Sequence, residues 1–260
     1  MPDLLVNNKR YTVKAILFDK DGTLLEFVRL WGYWSESVHR HFASQLPQPA
    51  QIAPLAELWG TVHDEDGHVC DYSINGPLAM GSTGDLLAIL AWQGYRQGLT
   101  WGESMRLARE CKERAYQDME QTRPAYPIPG LIPFLDQCRD QGMFMGIVTA
   151  DETEEAIKHI EWMGIRSYFP VIIGNDQVER GKPYPDMVVK ACTQLGLKPR
   201  EVAVIGDTSG DIRMGKSAGV SVTIGIVSKE DSSDRIQILE EAEAVISSYT
   251  QLKVEASRHE

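Results

Sequence analysis

The chain has 260 residues, enough to bury a substantial core in one large domain and a smaller one. Its 26 Lys and Arg against 37 Asp and Glu give a formal charge of -11, which argues against broad surfaces for nucleic acid or anionic membrane and favours a small partner. No apolar run is long enough to span a bilayer, and the four cysteines, Cys70, Cys111, Cys138 and Cys192, form no Cys-x-x-Cys pair, so neither a disulfide framework nor a structural zinc site is suggested.

The first eight residues, Met1-Pro2-Asp3-Leu4-Leu5-Val6-Asn7-Asn8, lack the plan of a signal peptide, and the expected location is cytoplasmic. The apolar run Ile16-Leu17-Phe18 then stops at Asp19-Lys20-Asp21-Gly22-Thr23. A continuous apolar run reads as a strand of a covered parallel sheet, and ligands bind beyond the carboxyl ends of such strands. Two carboxylates this close raise one another's pKa unless a cation intervenes, and a divalent metal resolves the conflict. A plain solvated turn is the other reading of the same residues.

Helical patterns dominate the next hundred or so residues: Phe27 to Leu46, Thr83 to Gln97, and Thr100 to Met119, the last opened by a Thr100 and Glu103 capping box. Arg29, Trp31 and Trp34 lie just inside this stretch, and packing is the expected role of the tryptophans. Gly81-Ser82-Thr83-Gly84 is a small-residue turn that could offer amides to an anion or act as a plain N-cap. His63-Asp64-Glu65-Asp66-Gly67-His68 reads as a polar surface loop, and His39 and His41 share no helix face.

Three further apolar runs end in polar chemistry. A strand from Met143 to Val148 delivers Thr149, Ala150 and Asp151; Gly181-Lys182-Pro183 precedes a helix from Asp186 to Leu195; and Val202 to Gly206 ends in Asp207-Thr208-Ser209-Gly210-Asp211. Asp151 with Glu154 fits a capping box, and Asp211 sits in the first turn of a helix running to Ala218, where the dipole favours an acid. Thr149 and Lys182 each also admit an ordinary structural reading. Residues from Arg235 onward read as a helix, a strand and a tail. The alternation of strands and helices in 1–25 and 126–260 predicts an α/β domain with a Rossmann-like parallel sheet, interrupted by a helical domain over 26–125.

In this order the four segments resemble the motifs of the haloacid dehalogenase superfamily: an Asp-x-Asp-Gly-Thr run, a Thr or Ser, a Lys and a late acidic pair. From Tyr126 to Ile224, including Pro129-Gly130 and Ser217-Ala218-Gly219, the chain looks like the phosphoglycolate phosphatase and β-phosphoglucomutase branch. The resemblance implies that fold with an inserted helical cap that closes over the site. It implies Asp19 as the nucleophile that becomes an aspartyl phosphate, and Asp21 as the acid and base. Thr149 and the Ala150 amide would hold phosphoryl oxygens, with Lys182 offsetting charge. It further implies Mg2+, bound by Asp19, the Asp21 backbone carbonyl and Asp207, with Asp211 acting through a water or a hydrogen bond.

The expected activity is hydrolysis of a small phosphorylated metabolite, phosphoglycolate-like or a sugar phosphate, by a monomer or homodimer with neither nucleic-acid nor membrane partners. A phosphomutase would use the same core. A phosphonoacetaldehyde hydrolase would need a cap lysine, for which Lys112 stands in what reads as a solvated helix face. A binding protein would be expected to have lost Asp19, Asp21 or Lys182, and none is lost. Two departures stand out. Lys20 replaces a commonly apolar residue, which gives a likeness to the phosphorylation site of P-type ATPases, although Asp21 supplies the acid and base which that site lacks. Asp151 follows Thr149-Ala150 where phosphoglycolate phosphatases often carry Asn directly after Thr.

Overall fold

The computed structural model of the protein describes residues 2–47, 51–227, 237 and 239–256. The chain forms two compact units, Met1–Glu26 with Tyr126–Glu260, and Phe27–Ala125. The first unit opens with β1 (Pro2–Val6), β2 (Lys9–Thr12) and β3 (Ala15–Phe18). Asn7 and Asn8 carry positive φ angles of 48° and 69°, so the β1 to β2 hairpin closes on the two-residue left-handed turn that asparagine tolerates.

The second unit begins with a short π turn at Val28–Gly32 and continues through α1 (Tyr33–Gln45), α2 (Leu55–Trp59), β4 (Thr61–His63), β5 (Val69–Tyr72), α3 (Pro77–Met80), α4 (Thr83–Arg96) and α5 (Trp101–Thr122). Alongside the expected helices, β4 and β5 pair antiparallel, an element that the helical periodicity on either side does not announce. Trp31 and Trp34 are buried, Trp34 stacking on Trp59 with centroids 5.5 Å apart, so both serve packing. The expectation that Lys112 lies on a solvated face is overturned. Lys112 is buried in α5, with Nζ 3.4 Å from Glu113 and over the Tyr116 ring, because a lysine stem can cover apolar surface while its head finds a carboxylate.

Ser82 caps α4 and exchanges hydrogen bonds with Asp85, so the Gly81–Gly84 turn already holds a carboxylate at its amides. His39 bonds to the Ala53 carbonyl and His41 to Asp118, two different partners. In the loop between β4 and β5, Asp64 accepts from the Asp66 and His68 amides, which closes a polar turn.

The first unit resumes with α6 (Leu131–Asp140), β6 (Phe144–Val148), α7 (Thr153–Trp162), β7 (Val171–Ile173), α8 (Asp186–Leu195), β8 (Val202–Gly206), α9 (Ser209–Ala218), β9 (Val222–Ile226), β10 (Ala244–Ile246) and β11 (Leu252–Ala256). Six strands make a parallel sheet in the order β10-β9-β8-β3-β6-β7. Alternation within β3 divides the core into layers. Ile16 and Phe18 join the cluster that contains Phe134, Leu135, Ala156 and Ile160 of α6 and α7, whereas Ala15 and Leu17 join the one with Met187, Val188 and Met214 of α8 and α9. The expected Rossmann-like α/β core is therefore present.

A separate antiparallel sheet, β11-β1-β2, lays Leu4, Val6, Leu252 and Val254 onto the first cluster. The carboxyl-terminal reading is corrected in one respect: two strands occur there, β10 extending the main sheet and β11 pairing with β1. The helix expected near Arg235 falls mostly outside the described residues. Cys111, Cys138 and Cys192 are buried and Cys70 is exposed, and burial pushes the Cys138 thiol up to about 12. Among the described residues, no helix is long and apolar enough to cross a membrane.

Candidate active site

The strand order reverses at β3: the chain adds β6 and β7 on one side, then β8, β9 and β10 on the other. Parallel sheets leave a crevice at the carboxyl ends of strands at such a point. Phe18 pairs with both Ile147 and Ile205, so the residues just past β3, β6 and β8 emerge side by side. These are Asp19, Thr149 and Asp207. Lys182 comes from the loop before α8, and its ammonium contacts the Asp19 carboxylate directly and lies 2.6 Å from Asp211 Oδ1.

Local sequence explains why the acids meet. The Asp19 amide donates to the Ile205 carbonyl at 2.8 Å, which prolongs the sheet to the carboxylate. After Asp21 the chain turns sharply, with Gly22 at φ +77° and its amide donating to the Leu25 carbonyl at 3.0 Å. A Cβ on Gly22 would lie 2.2 Å from Asp207 Oδ2, so both the left-handed backbone and the close approach of Asp207 require glycine there. At α9 a capping box forms: Asp211 Oδ2 accepts from the Thr208 amide at 3.1 Å and its hydroxyl at 2.6 Å, while Thr208 Oγ1 accepts from the Asp211 amide. Asp211 is thus both the helix-capping acid and a partner of Lys182.

Burial dominates the electrostatics. It pushes Asp19 up to about 7, with the Asp211 and Asp21 charges adding to it and Lys182 opposing. Burial and then the charges of Asp19 and Asp211 push Asp207 well above the usual carboxylate range. Burial works against the Lys182 ammonium, but Asp19 and Asp211 outweigh it and hold that pKa high. One oxygen from each of Asp19, Asp207 and Asp211 lies within 4.8 Å of the others, and all three residues are buried. Three buried carboxylates beside one lysine leave excess negative charge, and their hard oxygens suit a hard divalent cation. The donor set therefore fits Mg2+.

Thr149 is fully buried, its amide donating to the Ile173 carbonyl at 3.0 Å and its Oγ1 accepting from the Asp151 amide at 3.2 Å, with Ala150 half-buried beside it. The capping box expected between Asp151 and Glu154 does not form. The N-cap of α7 is Glu152, without a side-chain cap bond, and Asp151 turns instead to the buried Lys20 ammonium at 3.1 Å and to His159. Burial and then the Lys20 charge push the His159 imidazole below its ordinary value. Burial pushes Asp151 up, but Lys20 and His159 outweigh it and draw the carboxyl down to about 2. His159 was not among the sequence candidates, since a single His in a helix carries no distinguishing spacing.

The sequence model of the haloacid dehalogenase-like hydrolases matches residues 13–219. The chain belongs to this family. Among curated members, a phosphoglycolate phosphatase of Shigella boydii is 29% identical over 223 residues, covering 84% of each protein. Pyrophosphatase PpaX of Halalkalibacterium halodurans is 37% identical over 98 residues, which cover 38% of this chain and 46% of that one. Among solved structures, a predicted phosphoglycolate phosphatase from Haemophilus somnus superposes with a TM-score of 0.67 at 19% identity over 92% of this chain and 96% of the other. A β-phosphoglucomutase from Clostridium difficile gives a TM-score of 0.66 at 19% identity over 92% of each chain. Both structures share the haloacid dehalogenase-like fold with this hydrolase-family enzyme.

Proposed function

We propose that the protein is a cytoplasmic, Mg2+-dependent phosphatase that hydrolyses a small phosphate monoester, phosphoglycolate-like or a sugar phosphate, through an aspartyl phosphate on Asp19. The observation that carries this reading is the meeting of Asp19, Lys182, Asp207 and Asp211 at the sheet's switch point, with Thr149 at the end of the adjacent strand. The phosphoglycolate phosphatases among the relatives support the substrate class.

In the first step an Asp19 oxygen forms a bond to phosphorus as the bond to the leaving oxygen breaks. Asp21 gives its proton to that oxygen, which departs as an alcohol. In the second step Asp21, now a carboxylate, takes a proton from water, whose oxygen attacks the phosphoryl group. The bond to Asp19 breaks, inorganic phosphate leaves, and Asp19 and protonated Asp21 are restored. The Lys182 ammonium, held against Asp19, offsets negative charge on the nucleophile and the transferring group. Thr149 and the Ala150 amide would orient phosphoryl oxygens. Asp19, Asp207 and the Asp21 carbonyl would hold Mg2+, with Asp211 hydrogen-bonded behind them, and the ion would supply charge neutralisation among these carboxylates and the phosphoryl group.

The test is Mg2+-dependent phosphate release from a panel of phosphoglycolate, sugar phosphates, nucleotides and an aryl phosphate, with Asp19→Asn as control. Release by the wild type alone supports the reading and ranks its substrates. Isomerisation of a sugar phosphate without phosphate release points to a phosphomutase, and equal release by the variant overturns the nucleophile.

A further inference from the structure

Beside Asp21 lies a buried charged cluster that these steps do not use. Lys20 Nζ is 2.6 Å from Asp21 Oδ1, 3.1 Å from Asp151 Oδ2 and 3.1 Å from His159 Nδ1. The side chains of Lys20, Asp151 and His159 are wholly buried, whereas that of Asp21 keeps 14% of its surface exposed. An ammonium has three N–H donors and no acceptor; here it hydrogen-bonds Asp21 Oδ1 and His159 Nδ1, and Asp151 Oδ2 pairs with its charge. Asp151 is fixed in turn: its Oδ1 accepts from the Glu152 amide at 2.8 Å, and its own amide donates to Thr149 Oγ1. The cluster therefore ties the turn after β6 and the body of α7 to the carboxylate of Asp21.

Stability does not account for such a cluster. Taking an ammonium and a carboxylate out of water is costly before they pair, and apolar residues of similar volume in place of a buried ion pair are often neutral or stabilising. What the cluster does provide is geometry, because an aspartate side chain on a tight turn has several rotamers and only one can face the leaving oxygen.

We propose that Lys20, anchored by Asp151 and His159, is a positioning residue that occupies Asp21 Oδ1 and thereby fixes the carboxyl so that Oδ2 exchanges the proton with the leaving oxygen and with water. The inference rests on the reading of Asp21 as the acid and base. A fixed carboxyl matters most for leaving groups that must be protonated to depart, and least for an aryl oxide that leaves unaided.

The test uses Lys20→Met and the double variant Lys20→Met/Asp151→Asn, with Asp21→Asn for comparison. The single variant leaves the Asp151 carboxylate buried without its cation. The double variant removes both buried charges and so stays folded, and the carboxamide introduced by Asp151→Asn keeps an oxygen for the Glu152 amide. The ratio of kcat/KM for an alkyl phosphate to that for p-nitrophenyl phosphate is measured in each, beside the melting temperature. The expected result is a ratio lowered about 10- to 100-fold in the folded double variant, in the same direction as in Asp21→Asn. A double variant with the wild-type ratio, or one that loses both activities equally, overturns the positioning role while leaving Asp21 in place. Wild-type activity in Asp21→Asn overturns the reading beneath it.

Discussion

The Lys182 ammonium lies 2.6 Å from Asp211 Oδ1, while Oδ2 of the same carboxylate accepts from the amide and hydroxyl of Thr208. One side chain thus caps a helix and anchors the lysine that contacts Asp19. Removing it should cost both stability and activity.

Asp211→Ala removes the cap and the ion pair together, and should destabilise the protein by about 2 to 4 kcal/mol, a cap contributing about 1 and a buried hydrogen bond to a charged group about 1.5 to 3. Asp211→Asn keeps an acceptor for Thr208 and should cost less, while phosphate release falls in both because Lys182 loses its fixed partner. Urea melts and initial rates check the order wild type, Asn, Ala. An Ala variant as stable as the wild type would refute the double role.

Gly22→Ala places a Cβ 2.2 Å from Asp207 Oδ2 at a φ of +77°. The strained backbone alone should cost about 1 to 2 kcal/mol. The larger effect should fall on Asp207, displaced from its neighbours, so Mg2+ affinity and turnover drop by an order of magnitude or more while circular dichroism is unchanged. Unaltered Mg2+ binding by calorimetry would remove Asp207 from the ion's ligands.

The place where the acids meet was legible in the sequence wherever an apolar run stops at polar residues, because a covered parallel strand such as Ile16 to Phe18 or Val202 to Gly206 delivers the residue after it to the sheet's carboxyl edge. The cap formed by Asp211 was legible for the same reason, being local. Non-local pairing was not: β1 finds β11 across almost the whole chain, and the Asn7-Asn8 turn was the one local signal of the amino-terminal hairpin. Lys112 and Asp151 mislead for a shared physical reason. A charged residue reads as exposed, or as a cap, until the partner that neutralises it is brought in by folding, here Glu113 for Lys112 and Lys20 for Asp151.

Burial holds Asp19 up to about 7, with Asp207 raised as well. Both must shed protons to bind a cation, so Mg2+ affinity should rise as pH increases through about 7, with proton release visible as a buffer-dependent binding enthalpy. The metal-free protein behaves oppositely. Its native state keeps protons that the unfolded chain loses above the ordinary carboxylate pKa of 3.8, so these groups make stability decline as pH rises from there toward 7. Affinity independent of pH between about 6 and 8 would contradict the assignment of these carboxylates as ligands.

For Asp151 the sign is reversed. Its carboxyl is drawn down to about 2 from an ordinary 3.8, so its contribution is fully present above that ordinary value and is lost as pH falls toward 2. Asp151→Asn should lower the urea midpoint at about pH 6 and narrow the difference between about pH 6 and pH 3 relative to wild type. An unchanged difference would mean that the Lys20 cluster does not contribute to acid sensitivity.

The most direct measurement is acid quench of Asp21→Asn during turnover of a radiolabelled aryl phosphate, followed by proteolysis and identification of the labelled peptide. The account predicts label on the peptide carrying Asp19, labile to hydroxylamine as an acyl phosphate is, and absent from Asp19→Asn. Label on another residue, or turnover by the wild type with no labelled protein in either enzyme, would contradict an aspartyl-phosphate phosphatase.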